Sequence, residues 1–139
     1  MIAAILIGLV AVGSVQAISV LNLNAASNRI ITNARVIVQR NIDKALSITC
    51  SKNSVPAVLA ITPAAGVIFD DDGGTVNIVT VVLQGSSNVQ LVQGTLTRIV
   101  TAVTNADSAD IRQVTFRLDY TYRSRAYSYA LTTMRAIDD

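Results

Sequence analysis

A chain of 139 residues has the size of one ordinary domain, but its 51% hydrophobic content and mean hydropathy of +0.49 are high for a protein that folds in water. Histidine and glutamate are both absent, which removes the commonest general base and the commonest metal ligand, so neither an enzyme nor a cofactor is expected. The single cysteine, Cys50, excludes an intramolecular disulfide. No motif for binding RNA or DNA is present, and nucleic acid is not an expected partner.

The charge is divided unevenly along the chain. Residues 1–52 carry five basic side chains and one aspartate, a net +4, whereas residues 53–139 carry six arginines and eight aspartates, a net −2. The basic part adjoins the most apolar part of the chain. It can therefore meet anionic lipid head groups or the acidic surface of a neighbouring copy.

The first 28 residues contain no charged side chain. Between Met1 and Leu21 the only polar side chains are Ser14, Gln16 and Ser19. This stretch is long enough to cross a bilayer as a helix, which takes about 20 residues. A helix that is apolar all round is not expected to stand alone in water.

The helical pattern continues beyond Arg29, the first charge, without a proline or a turn cluster. Apolar residues then recur at steps of three and four, which predicts an amphipathic stripe. The simplest interpretation is one helix over residues 1–52, on the order of 75 Å long. The residues predicted to pack on the remaining structure are Ile31, Ala34, Val38, Ile42 and Ala45.

A secretory signal peptide is the rival interpretation of the front segment. Residues 14–17 (SVQA), followed by Ile18, are similar to a cleavage site, although a basic n-region is missing. A mature N-terminus at Ile18, found by mass spectrometry, would establish this alternative.

The helix is expected to stop around residues 49–55, and the pattern then changes to that of strands. Residues 57–62 (AVLAIT) predict a strand or a crossing loop, and residues 67–69 and 75–83 predict a hairpin around the turn at 70–74. Residues 89–92 and 95–103 are predicted as two strands separated by Gln93-Gly94.

The clearest alternation in the chain lies in residues 111–122. Apolar and aromatic side chains share one face and polar side chains share the other, so one face is predicted to be buried. Residues 123–125 predict a turn, after which residues 127–137 return as the last strand. The buried face comprises Val114, Phe116, Leu118, Tyr120 and Tyr122.

These elements predict an α+β fold. The apolar face of an antiparallel sheet needs a cover, and the amphipathic half of the helix is the element available for it. Residues 1–28 then project as a stalk, and residues 29–139 form the head.

Three motifs in the chain carry a resemblance to a known family. MIAAILIGL, residues 1–9, is similar to the part of a pilin signature that follows its glutamate, with Gly8 at a position where glycine is often found. Residues 27–46 (SNRIITNARVIVQRNIDKAL) resemble the second half of many pilin-like helices, and residues 94–125 resemble a pseudopilin-type pair of strands. The pattern thus resembles type IV pilins and the pseudopilins of type II secretion systems.

The resemblance implies a structural filament subunit that is held in the bacterial inner membrane before assembly. It then forms a surface filament or a periplasmic pseudopilus, as a homo-oligomer with or without other pilin-like subunits, and depends on a platform protein and a motor ATPase. The family's basic leader and N-terminal glutamate are missing. Either the sequence begins several residues late, or it belongs to the minority of pilin-like subunits without the glutamate, or Met1 is the mature first residue. The expected filament-core residues are Met1, Ile2, Ile5, Leu6, Gly8, Leu9, Val12, Gly13, Val15, Ile18 and Leu21.

Three weaker site hypotheses concern the head. Asp70, Asp71 and Asp72 can ligate Ca²⁺, although an acidic hairpin turn is the simpler interpretation. Arginines 117, 123 and 125 form an anion patch, meet aspartates of the next subunit, or lie on a solvated strand face, which is the simpler interpretation. Tyrosines 120, 122, 127 and 129 form either a stacking platform or cross-strand pairs that fill the sheet.

Two other functions remain open at this point. One is a monomeric β-rich binding module anchored by a single membrane helix, and the other is a secreted β-rich domain released by signal cleavage. Only the filament hypothesis predicts ordered fibres in negative-stain electron microscopy.

Overall fold

A computed structural model describes residues 2–69, 78–82, 91–103 and 110–137. It confirms the α+β class, with one long helix and an antiparallel sheet. Helix α1 spans Ile2–Ser47, a 3₁₀ turn spans Ala57–Leu59, and the strands are β1 (Val67–Ile68), β2 (Ile78–Val82), β3 (Leu91–Val103), β4 (Ile111–Tyr122) and β5 (Arg125–Ala136). Below, residues 2–28 are the stalk and the described residues from 29 onward are the head.

Helix α1 runs through both halves without interruption, as the sequence predicts, but it ends earlier than expected. Its last residue is Ser47, whose hydroxyl donates to the carbonyl of Lys44. The β-branched Ile48 and Thr49 follow, and such residues favour helix less than extended chain. The chain then makes a tight turn in which Ser51 and Ser54 pair, and Cys50 before it is buried.

The sheet is a meander of three long strands with two short strands on its far edge. β3, β4 and β5 are consecutive antiparallel neighbours. β1 and β2 both pair with the edge of β3 that faces away from β4, where β1 lies beside residues 97–98 and β2 beside residues 91–95. The expected hairpin is therefore wrong for the described residues, because both of its predicted strands take β3 as their partner.

Residues 91–103 form one continuous strand, and the break predicted at Gln93-Gly94 is wrong. Gly94 pairs with Val79 on one side and with Tyr120 on the other, so its backbone stays within the ladder. A Cβ at Gly94 would lie 3.0 Å from Leu118 Cδ1 and 3.1 Å from the Asp119 carbonyl oxygen. Glycine stands here because the neighbouring strand approaches closely, not because the chain turns.

Residues 57–62 form a crossing segment and not a strand. After the 3₁₀ turn, the Thr62 amide donates to the Val100 carbonyl, and the Val100 amide donates to Thr62 Oγ1. Two arginines hold the same segment from the sheet, since Arg98 donates to the Ala57 carbonyl and Arg112 donates to the Leu59 carbonyl. This connection is therefore attached to β3 and β4.

The core lies between the sheet and the back half of α1. The predicted alternation in β4 is confirmed, since all five residues of its apolar face are buried. On the helix the buried row is Ile30, Ala34, Val38 and Ile42, with Ala45 one turn further on. Ile31, expected in this row, is half-buried and Ile30 takes its place, because the row follows steps of four along one ridge of the helix.

Candidate functional site: the exposed stalk and its junction with the head

The stalk exposes apolar side chains around its whole circumference. Among the described residues, seven large ones of the stalk are exposed, and they fall on all sides of a helix that turns 100° per residue. They are Val10, Val12, Val15, Ile18, Val20, Leu21 and Leu23. The described part of the head leaves this surface exposed apart from Leu23, which lines a cleft with it, so a cover for the rest would come from elsewhere.

The serine hydroxyls of the stalk have partners within the helix. Ser14 Oγ donates to the Val10 carbonyl at 2.8 Å, and Ser19 Oγ donates to the Val15 carbonyl at 3.0 Å. Each bond reaches back four residues and satisfies the hydroxyl donor without water. The stalk can therefore enter an apolar environment at little cost from these two residues.

Two glycines leave shallow places on the stalk surface. A Cβ built on Gly8 or on Gly13 would meet nothing within 4 Å. These glycines therefore have no packing role against the described residues of their own subunit. Small residues of this kind let the backbones of neighbouring helices approach closely.

The structure describes the exposure of some of the predicted filament-core residues, whose role in a filament stays a prediction. Gly8, Val12, Gly13, Val15, Ile18 and Leu21 are exposed on the stalk. Ile2, Ile5, Leu6 and Leu9 lie in the helix, and their side chains are outside the described part. Met1 is also outside it.

The back half of α1 packs on the sheet as predicted. Ala34, Val38, Ile42 and Ala45 are buried against β4 and β5. The Arg35 guanidinium lies 5.7 Å from the centre of the Tyr129 ring on β5, which adds a cation–π contact at the rim.

The tight turn between β4 and β5 points toward the stalk. Arg123 and Ser124 both have positive φ, 50° and 60°, as a two-residue turn of type I′ requires. The turn meets the end of the apolar segment across a cleft of about 310 Å³. Its lining comprises Leu23, Asn24, Ser27, Tyr122, Arg123, Arg125 and Tyr127.

Sequence reasoning missed this junction. Arginines 117, 123 and 125 were considered together, but the structure separates them: Arg117 lies on the outer sheet face and pairs with Asp119 at 2.8 Å. Arg123 and Arg125 instead flank the turn beside the stalk. The turn signal was visible in the sequence, whereas its distance from residue 23 was not.

The tyrosines form cross-strand contacts and not an open platform. Tyr120 and Tyr127 are opposite each other in β4 and β5, with parallel rings 5.3 Å apart. Tyr120 and Tyr122 are buried. Burial raises the pKa of Tyr120, as does the neighbouring Tyr127, while Arg35 acts in the opposite direction.

The buried Arg98 and the half-buried Arg112 have a structural role in the head. Arg98 lies with its guanidinium 5.3 Å from the centre of the Phe69 ring, and Phe69 meets Phe116 edge to face. Burial lowers the pKa of Arg98. With Arg112, which also contacts Asp110 at 3.4 Å, it holds the crossing segment on the sheet.

The calcium hypothesis concerns Asp70, Asp71 and Asp72, which are not among the described residues. Within residues 2–69, 78–82, 91–103 and 110–137, no three acidic, cysteine or histidine side chains cluster as metal ligands would.

Taken together, fold and surface define an α+β protein whose N-terminal helix is long and apolar enough to cross a membrane. Comparison with protein-family models, with curated proteins and with solved structures finds no match.

Proposed function

We propose that this chain is a structural subunit of a helical filament of the type IV pilin or pseudopilin kind. The observation that carries the proposal is the continuity of one helix from an apolar stalk, exposed on all sides, into a row buried in the head. The stalk is held in a membrane before assembly and is bundled with other stalks afterwards. The heads form the outer surface of the filament.

The free energy available from covering the stalk supports this proposal. Each large aliphatic side chain removed from water contributes about 1.5–3 kcal/mol, so the seven exposed ones contribute roughly 10–20 kcal/mol. Lipid and a bundle of identical stalks both provide such a cover. A subunit can therefore pass from one to the other without exposing this surface to water.

The sequence resemblance supplies the rest of the proposal. By resemblance, the partners are further copies of this chain or other pilin-like subunits, a membrane platform protein and a motor ATPase. The location is the bacterial inner membrane, followed by a surface filament or a periplasmic pseudopilus. Gly8 and Gly13 would provide the close approach between stalks in either assembly.

The first experiment compares two valines of the same helix. Val15 on the stalk and Val36 on the head are 64% and 59% exposed. We expect Val15→Asp to abolish fibres in negative-stain electron microscopy, because a bundled or lipid-covered carboxylate loses its hydration. Val36→Asp is the matched control and should assemble like the wild type. Fibres of normal number and length with Val15→Asp would contradict the stalk core.

A second variant separates membrane storage from assembly. Gly13→Leu keeps the stalk apolar and has room within its own subunit, so membrane integration should be normal. Fibre number should fall at least tenfold, because the larger side chain separates neighbouring helices. Val15→Leu adds bulk at a position that already carries a side chain and is the control.

Two results would favour the other functions. Membrane-integrated chains that never form fibres and remain monomeric would indicate an anchored binding module. A mature N-terminus at Ile18 would indicate a secreted domain.

A further inference from the structure

The cleft between the stalk and the β4–β5 turn lies at a defined depth along the helix. The apolar stretch of the stalk ends near Leu23, and the polar Asn24 and Ser27 then precede the first charge at Arg29. The polar end of a helix that crosses a bilayer lies outside the ~30 Å hydrocarbon core. Asn24 and Ser27 then fall at the level of the lipid head groups. These two residues and Leu23 form the helix side of the cleft.

The opposite side of the cleft is basic. Arg123 and Arg125 are exposed and line it, and none of the described residues in its lining is an aspartate. The Arg123 guanidinium lies 5.5 Å from the centre of the buried Tyr122 ring, which holds it over the sheet end. Arg112 and Arg117, on other parts of the sheet, pair with Asp110 and Asp119.

The turn itself keeps both arginines beside the stalk. Positive φ at Arg123 and Ser124 gives a two-residue turn, so Arg125 is the first residue of β5 and pairs directly with Tyr122. The backbone that carries the two arginines is therefore fixed at the end of the β4–β5 hairpin. Guanidinium groups match phosphate oxygens in shape and charge.

We propose that this junction cleft binds the phosphate of an anionic phospholipid while the stalk spans the membrane. The inference rests on the membrane-held state of the proposed function and not on the filament. The structure thereby adds two arginines from the acidic part of the sequence to the basic region at the membrane surface. The polar Asn24 and Ser27 face the same head group from the helix.

The test measures lipid binding by the full chain in detergent micelles, using native mass spectrometry. Phosphatidylglycerol and phosphatidylcholine with identical acyl chains are titrated separately. The wild type should bind phosphatidylglycerol at least tenfold more tightly than phosphatidylcholine. Arg125→Gln should lower that preference about fivefold, and adding Arg123→Asn, which tolerates positive φ, should lower it about fivefold further.

Arg117→Gln is the matched control, since it removes the same charge from the outer sheet face. It should leave the lipid preference unchanged. An equal loss in Arg117→Gln would attribute the preference to net charge and overturn the assignment. Equal binding of both lipids by the wild type would overturn it as well.

Two further measurements identify the source of the phosphate and the partner. If glycerol phosphate binds the wild type as tightly as phosphatidylglycerol does, the cleft takes a soluble ligand and the lipid assignment is wrong. If the double variant keeps its lipid preference but loses fibres, the cleft is a contact with a second copy. Integration of the wild type into phosphatidylcholine vesicles tests the membrane-held state separately, so failure of either idea can be recognised.

Discussion

The two halves of helix α1 share one backbone and differ in what surrounds them. In the back half Val38 is 0% exposed and Val36, two residues away, is 59% exposed, so one row is buried and the opposite side meets solvent. In the front half Val10, Val12 and Val15 are all exposed. The same residue type is thus a core residue in the head and an open surface residue in the stalk.

Most of the described stalk therefore lacks tertiary packing, whereas the head has a buried core. The head buries its row against β4 and β5 and needs nothing further for that contact. The described stalk residues up to Leu21 have a helix's internal hydrogen bonds and are exposed, without a cover from the described part of the head. Changes in the head should therefore alter unfolding of the subunit, and changes in the stalk should alter its association with lipid or other copies.

The largest effect is expected from Val38→Asp. A carboxylate placed in the core without a partner should lower the free energy of unfolding by about 3–5 kcal/mol. Val36→Asp on the exposed side should change it by about 0.5 kcal/mol or less. Urea unfolding of the full chain in detergent, followed by tyrosine fluorescence, measures both. Similar losses of unfolding free energy in the two variants would mean that the back half of α1 does not have one buried and one exposed side.

A smaller effect separates the glycines of the two regions. At Gly94 an added Cβ would lie 3.2 Å or less from Leu118, Asp119 and Tyr120, so Gly94→Ala should lower the unfolding free energy by about 1–3 kcal/mol. Gly13→Ala has open space and favours helix, so the same unfolding measurement should not show a loss. A neutral Gly94→Ala would show that β3 and β4 can separate without cost.

The smallest effect concerns alkaline pH. The folded head raises the pKa of Tyr120, so it favours the neutral phenol relative to the unfolded chain. This contribution to stability is fully present below the ordinary tyrosine pKa of about 10 and is lost as pH rises through the higher folded value.

Unfolding free energy should therefore decline above about pH 10, and Tyr120→Phe should reduce the decline. Ultraviolet absorbance of the phenolate, as wild type minus variant, reports the titration directly. The stalk has no ionisable side chain in residues 2–28, so membrane integration should not follow the same curve. An identical decline of unfolding free energy in Tyr120→Phe would show that other groups cause the pH dependence.

Part of the fold could be predicted because local patterns carry it. The alternation in residues 111–122 correctly identifies the buried face of β4, since side chains in a strand point to opposite sides in turn. The steps of three and four in α1 likewise place Ala34, Val38, Ile42 and Ala45 on the sheet. The apolar character of the stalk on all sides can also be read from the sequence, because residues 1–21 contain only three polar side chains.

Other features could not be predicted because they depend on partners distant in sequence. Gly94 looked like a break between strands, yet it lies where β4 approaches closely. Residues 67–69 and 75–83 are predicted as the two arms of one hairpin, but the strands found there, β1 and β2, both pair with β3. The residues around Arg98 in the sequence do not indicate that its guanidinium donates a hydrogen bond to the Ala57 carbonyl.

Local patterns of residues predict the long helix, its division into apolar and amphipathic halves and the alternation of β4, because each depends on residues a few positions apart. The pairing of β1 and β2 with one edge of β3, and the position of Arg123 and Arg125 beside Leu23 and Asn24, are seen in the folded chain and not in its local patterns. Those contacts join residues about a hundred positions apart. Their geometry is set by how the helix crosses the sheet, which local pattern does not encode.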